Sequence, residues 1–271
     1  PSRLLPVPRS NLLEYDANAD RQDQARMSRK IYLFRHGETE WNVAGKMQGR
    51  LDSPLTERGR EQALAHGRLL AQLPPPDCYW VSSAGRTRAT AHLIHSSVQA
   101  PEHFSDALLE RDCGTWSGKT PTQVREQHAD EWNLMQADGH HYRPGGGENL
   151  PDLLARFRQL LMQWQQPDCL AIVTHGVVSR AILGHFLRLD ERQIRQIKHP
   201  NALFYELSFS QDGVNVQHYL ADLCDNGLNF EHGGVALNGI CEELPPQAVS
   251  GEKQYSLLLA PRQFEALGDN G

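Results

Sequence analysis

The chain has 271 residues, 39% of them hydrophobic, and a formal net charge of −6. That length supports one sizeable core or two small ones, and the ordinary charge and aromatic content excludes a fibre. The acidic balance argues against a general nucleic-acid binder, which concentrates Lys and Arg on a basic face. No run approaches the roughly 20 apolar residues that span a bilayer, and the first residues lack the apolar stretch of a secretory signal. The expectation is a soluble cytoplasmic protein whose partners are small molecules, with neither nucleic acid nor membrane among them. Oligomeric state is not readable, and a homodimer stays open. The five cysteines, Cys78, Cys113, Cys169, Cys224 and Cys241, include no C-x-x-C pair, which suits reduced structural thiols better than a disulfide frame or a zinc site.

In chain order, residues 1–28 mix Pro, Arg, Asp and Gln without a sustained period and read as an N-terminal extension. The run IYLF, from Ile31, is short, apolar and β-prone and ends at the turn RHG, as a buried strand would; a helix should follow soon after. Thr56 begins TERGREQALAHGRLLAQL, where Ala63, Leu64, Leu70 and Leu73 form a helical stripe and the triple Pro at 74–76 stops it. A strand YWVSS and a helix GRTRATAHLIHSS come next. Residues 119–147 look like an insertion, with one helical piece around TPTQVREQHADEWNLM and then the turn PGGG. Asn149 can cap the helix LPDLLARFRQLLMQW, with Asp152 in its first turn. CLAIVTHG reads as a buried strand feeding directly into the helix VVSRAILGHFL. ALFYELSF and VNVQHYL, separated by QDG, suggest an antiparallel hairpin. Beyond about residue 222 the pattern dissolves, so 223–271 is read as a tail and 29–222 as the folded domain. The alternation of strands and helices predicts a three-layer α/β/α sandwich around a mostly parallel sheet.

Open α/β sheets bind ligands at the carboxyl ends of their strands, which draws attention to RHG after the first strand and THG after CLAIV. His36 and His175, each followed by glycine and each ending a neighbouring strand, can face one another across one crevice. Arg35 precedes His36, and Arg86 opens a helix directly after the SS turn. A phosphoryl group spreads charge over three oxygens, and guanidinium forks match it well. The other candidate features read as structure. GGG at 145–147 lacks a phosphate-loop pattern and reads as a turn, and His140 and His141 beside Asp138 as a solvated loop without a metal. Trp132 and Tyr142 of the insertion are expected to border the substrate.

RHGETEWN, QGRLDSPLTERGREQA, SSAGRTRATA, LLERDCGTWSG, GGGENLPDLLARF and VTHGVVSRAI together resemble the motifs of the histidine phosphatase superfamily, and more closely its phosphoglycerate mutase-like branch. The likeness runs from about Ile31 to Tyr219. It departs from the usual pattern in SSAG and in Ser117, positions that concern supporting structure. The resemblance implies that His36 is the nucleophile, that Arg35, Asn42, Arg86 and His175 hold phosphate oxygens, and that Glu110 is the proton donor. Gln48, in QGRLDSPLT, is added to the phosphate-binding set. The implied activity is a phosphatase, a phosphomonoesterase of the histidine acid type. It would hydrolyse a small phosphorylated metabolite through phosphohistidine, with no cofactor and no metal. Two rivals are a mutase, which returns the phosphoryl group to a second hydroxyl, and a binding module without catalysis. QGRLDSPLT resembles phosphatases more than mutases, and no residue that would disarm the site is missing.

Overall fold

A computed structural model describes residues 29–163, 167–210, 213–222 and 229–233. The extension 1–28, most of the tail 223–271, Cys224, Cys241 and two residues of the QDG turn lie outside these. Seven strands, β1 (Arg29–Arg35), β2 (Cys78–Ser82), β3 (Glu102–Ser105), β4 (Cys169–Thr174), β5 (Leu203–Ser210), β6 (Gly213–Asp222) and β7 (Asn229–Gly233), form one sheet in the order β3-β2-β4-β1-β5-β6-β7. From β3 to β1 all neighbours are parallel, whereas β1–β5, β5–β6 and β6–β7 are antiparallel. Strands β1 to β4 and β6 therefore share one direction, and the sheet is mostly parallel.

Strand alternation explains the layers. Along β1, Ile31 and Leu33 enter one apolar cluster while Tyr32 and Phe34 enter another on the opposite face. β4 divides the same way, with Leu170 and Ile172 on the first side and Ala171 and Val173 on the second. Because both faces are covered, the two strands read in sequence as unbroken apolar runs rather than alternating ones. The helices are α1 (Glu40–Val43), α2 (Glu57–Leu70), α3 (Gly85–His95), α4 (Pro121–Gln127), α5 (Ala129–Ala137), α6 (Leu150–Gln163), α7 (Gly176–Leu187) and α8 (Glu191–Gln196). The side chains of α6 and α7 complete the first cluster, and those of α2 and α3 the second, giving the three layers. Burying one such Leu or Phe contributes roughly 1.5–3 kcal/mol, so the central strands are held firmly from both sides.

Local signals set the helix ends. Thr56 Oγ1 accepts the Gly59 N–H to cap α2, and Asn149 and Asp152 exchange side-chain and backbone bonds at the start of α6. Three elements escape the sequence reading: the edge strand β3, the short helix α8 and β7, which pairs with β6 from within the stretch 223–271 read as a tail. The helical piece expected in the insertion is two helices, α4 and α5, because His128 between them has left helical geometry at φ −141°, ψ 51°.

Candidate active site

β1 and β4 pair in parallel with Arg35 opposite Thr174, so the next residues, His36 and His175, leave the sheet side by side. Their rings lie 5.3 Å apart at 61°. The turn after His36 presses backbone against backbone: a Cβ on Gly37 would sit 2.2 Å from the Gly59 carbonyl oxygen, and one on Gly59 2.0 Å from that of Glu38. Glycine is needed at both places for this approach, which locks RHG onto the first turn of α2. The Gly37 N–H donates to Thr90 Oγ1 and that of Glu38 to Gln62 Oε1.

His36 is buried, and its Nδ1 lies 2.8 Å from the Gly37 carbonyl oxygen. A carbonyl only accepts, so Nδ1 carries the proton and Nε2 keeps its lone pair. Burial, and then the positive charges of Arg35 and Arg86, hold His36 well below the usual imidazole pKa. His175 is also held low, by burial first, then by Arg86 and His36. Its Nδ1 accepts from Arg86 Nε at 3.2 Å, which leaves the Nε2 proton to donate to Ser82 Oγ at 2.7 Å. Both rings are therefore neutral, oriented imidazoles.

The two arginines differ. Arg86 donates to His175, the carbonyls of Gly49 and Leu51, and Asp52, which occupies four of the five N–H groups in a guanidinium. Its positive charge is thus fixed at the crevice by the loop that carries QGRLDS. Arg35 gives Nη1 to the His199 carbonyl at 2.7 Å, while its Nε is buried without a partner. Burial lowers the Arg35 pKa to about 10, the Glu110 carboxylate opposing that shift.

Asn42 spends its Oδ1 on the N–H and hydroxyl of Thr39, in the capping box of α1. Gln48 donates Nε2 to Thr39 Oγ1 at 2.7 Å, and its Oε1 is buried without a partner. It holds the Thr39 turn through one of its two amide N–H groups.

Glu110 is brought in from a separate loop. Its Oε1 accepts the Arg111 N–H at 2.8 Å and its Oε2 accepts that of Val177 at 3.2 Å, two residues beyond His175. The loop is clamped from behind. Arg156 donates to the carbonyls of Ala107, Leu109 and Glu110, and Glu148 accepts from Arg50, Arg156 and the Asp112 N–H. The glycines of PGGG serve this clamp, since a Cβ on Gly147 would lie 2.1 Å from the Asp112 carbonyl and one on Gly145 2.5 Å from that of Cys113.

The crevice thus gathers His36, His175, Arg35 and Arg86, with Glu110 at the first turn of α7 and Asn42 and Gln48 on the Thr39 turn. Ser82, Asp52 and Arg156 were not singled out from sequence. All three lie inside quoted motifs, which was the available signal, but the contacts that give each its part are tertiary. Trp132 and Tyr142 stack on Trp116, at 6.0 and 5.9 Å, and build the small core of the insertion. Met135 and Gly139 are its residues that line a cavity beside Glu110. His141 pairs with Asp138, and His140 lies 3.8 Å from Glu191. Among the described residues no helix is long and apolar enough to cross a membrane.

Comparison with known proteins gives this arrangement its place. The model for the histidine phosphatase superfamily (branch 1) matches residues 31–222. The chain belongs to that family. It is 31% identical over 237 residues to a 6-phosphofructo-2-kinase/fructose-2,6-bisphosphatase of Aquarana catesbeiana, covering 87% of this chain and 47% of that one. It is also 31% identical over 173 residues to form 3 of that enzyme from Rattus norvegicus, covering 64% of this chain and 30% of that one. The chain thus spans about half the length, or less, of these curated relatives. Among solved structures it resembles the α-ribazole phosphatase of Shigella flexneri at TM-score 0.63 and 26% identity, covering 68% and 93% of the two chains. A mycobacterial glucosyl-3-phosphoglycerate phosphatase follows at TM-score 0.61 and 27% identity, covering 69% and 96%. These neighbours are phosphatases of the phosphoglycerate mutase-like fold.

Proposed function

We propose that this chain is a phosphomonoesterase that hydrolyses a small phosphorylated metabolite through a phosphohistidine on His36, without a metal. The observation that carries the reading is the tautomer of His36: with its proton held on Nδ1 by the Gly37 carbonyl, Nε2 is a nucleophile that needs no base. Family membership and phosphatase neighbours support the class of reaction. The relatives' names, a fructose bisphosphatase, a glucosyl-phosphoglycerate phosphatase and a ribazole phosphatase, support a small-molecule substrate.

In the first step His36 Nε2 attacks phosphorus and the bond to the ester oxygen breaks. Glu110 supplies a proton to the departing alkoxide. In the second step water attacks phosphorus as Glu110 takes its proton, the bond from phosphorus to His36 Nε2 breaks with its electron pair returning to the ring, and inorganic phosphate leaves. Arg35, through its unpartnered Nε, meets the phosphoryl oxygens together with the Asn42 amide, and the fixed charge of Arg86, with the His175 ring held beside it, biases the pocket toward an anion. Preorganised positive charge of this kind is the main contribution in phosphoryl transfer.

Acid-free denaturation during turnover of p-nitrophenyl phosphate, followed by peptide mapping, is expected to place an acid-labile phosphoryl group on His36. His36→Ala should lose that group and on the order of 10⁴-fold or more in kcat, as enzymes that lose a covalent nucleophile do. A phosphoryl group on any other residue, or undiminished turnover in the variant, overturns the reading.

A further inference from the structure

His36 ends the central strand β1, which has β4 on one side and β5 on the other. From the β4 side the Thr174 carbonyl takes the His36 N–H at 3.0 Å. From the β5 side comes Asn201, whose Nδ2 donates to the His36 carbonyl at 2.8 Å. Resting on the phosphatase reading above, we propose that Asn201 is a positioning residue for the nucleophile: it fixes the 36–37 peptide and, through the Gly37 carbonyl, the tautomer that presents Nε2.

The register of the sheet brings Asn201 to this place. β1 and β5 run antiparallel with Phe34 opposite Phe204, and continuing that pairing past the strand ends sets Asn201 against Gly37. The turn that carries Asn201 is braced on both sides. His199 Nε2 donates to the Leu203 carbonyl at 3.0 Å, which leaves Nδ1 to accept from Ser179 Oγ of α7 at 2.7 Å, and the Tyr205 hydroxyl donates to the Lys198 carbonyl. The His199 carbonyl in turn holds Arg35 Nη1. One short turn thus grips Arg35 through its backbone and His36 through a side chain.

The donors and acceptors run in one order. The His36 carbonyl only accepts, so the NH2 end of the Asn201 amide faces it. At the other end of the same peptide the Gly37 N–H donates to Thr90 Oγ1 at 3.0 Å, and Thr90 gives its own proton to the Arg86 carbonyl at 2.8 Å. The 36–37 peptide plane is therefore held from the antiparallel half of the sheet by Asn201 and from α3 by Thr90. The next carbonyl, that of Gly37, is the one that accepts the His36 Nδ1 proton at 2.8 Å. Its direction depends on the torsions of Gly37, which a glycine restrains less than any other residue, so the bonds on the preceding peptide supply the restraint. When Asn201 is replaced, the His36 carbonyl loses its partner and the peptide is free to turn. The Gly37 carbonyl then drifts from Nδ1, and the ring proton is shared with Nε2, the atom that must attack. Arg35 keeps its backbone acceptor.

Asn201→Leu, which keeps the branched shape and removes the donor, and Asn201→Ala test the assignment. For p-nitrophenyl phosphate kcat/KM reports phosphorylation of His36, because nitrophenolate release closes that step. Both variants should lose roughly 3- to 10-fold in kcat/KM, the size of one neutral hydrogen bond, while competitive inhibition by inorganic phosphate stays close to that of the parent. Nitrogen-15 NMR of the histidine rings, with His36 assigned from the signals lost in His36→Gln, should show the Nδ1–H tautomer in the parent and a mixture in both variants. An unchanged kcat/KM per folded molecule overturns the proposal, even where the melting temperature falls. So does an unchanged tautomer, or a loss of phosphate affinity as large as the loss in kcat/KM, which would place the effect in the anion pocket. If the parent enzyme itself hydrolyses nothing, the phosphatase reading fails instead, and the tautomer comparison alone decides the part played by Asn201.

Discussion

The His36 crevice and the cavity walled by Arg111, Arg180 and Arg195 lie on either side of Glu110, yet they handle polar groups in opposite ways. In the crevice both rings of the histidine pair are oriented by hydrogen bonds, and Arg86 spends most of its donors on the 49–52 loop. In the cavity Arg111 and Arg180 lack carboxylate partners among the described residues, and Arg195 reaches Glu191 only at 3.9 Å. The crevice is therefore preorganised for one invariant group, the phosphoryl, where fixed dipoles cost nothing to rearrange during reaction. The cavity wall carries charge with fewer hydrogen-bonded partners than the crevice, Arg180 Nε being held by the Gly176 carbonyl. Glu110, whose Oε2 accepts the N–H of Val177 in the cavity wall and whose charge acts on Arg35, stands between the two regions.

After loss of the nucleophile itself, the largest effect is expected at that boundary. An alkoxide is a poor leaving group and must be protonated as it departs, whereas p-nitrophenolate is already stable. Glu110→Gln should slow phosphorylation by a sugar phosphate by about 10²–10⁴-fold and leave phosphorylation by p-nitrophenyl phosphate nearly intact. Dephosphorylation needs the base with either substrate, so a burst of about one nitrophenolate per site should precede slow turnover. Equal slowing of the burst for both substrates would assign Glu110 to structure and pass the acid role to another carboxyl, with Asp112 nearest in the chain.

The same contrast governs what the sequence made legible. β1, β4 and α7 were readable because both faces of the strands are covered and the runs are long and apolar. His36 and His175 were readable because a repeated His–Gly context ends two adjacent strands. β3 was missed since its pattern is short and only half buried, and α8 since it is barely more than one turn. The triple glycine was read correctly as a turn but not for its purpose, because the need for glycine lies in the carbonyls of Asp112 and Cys113, more than 30 residues away in the chain. Arg180 sits inside a quoted motif and Arg195 in none. Their meeting with Arg111 depends on how α7, α8 and the Glu110 loop pack, which no local pattern encodes.

A smaller effect concerns stability in acid, and it sharpens the difference between dry and wet histidines. His36, His175 and His199 are held well below the usual imidazole pKa by burial, and His66 is lowered by burial to about 4. In the unfolded chain each titrates near 6.5. Below that value the unfolded state binds protons that the native state refuses. The stabilisation is therefore complete above pH 6.5 and is lost as pH falls toward the folded values, by about 1.4 kcal/mol per pH unit for each histidine. His66 lies between Phe34 and Phe204, with ring centroids 5.6 and 5.5 Å away, so a ring without nitrogens fits its surroundings. His66→Phe should give a flatter fall in the urea midpoint between pH 6.5 and 5 than the parent protein. An unchanged slope would show that His66 gains no proton on unfolding.

The smallest expected effect is that of a chelator, and it follows from which atoms the crevice has left to offer. His36 Nδ1 donates to Gly37, and both nitrogens of His175 are committed to Arg86 and Ser82. Glu110 accepts two backbone N–H bonds, and among the described residues no three of His, Cys, Asp and Glu come together as a ligand set. The charge that a divalent cation supplies in many phosphoryl transfers is here supplied by Arg35 and Arg86, and a cation placed beside them would be repelled. Prolonged treatment with EDTA should leave kcat with p-nitrophenyl phosphate within error of the untreated enzyme. A loss restored by one particular metal would mean that the guanidiniums do not carry the transition-state charge alone. The contrast between the two regions would then have to be redrawn, with a metal rather than fixed protein donors organising the crevice.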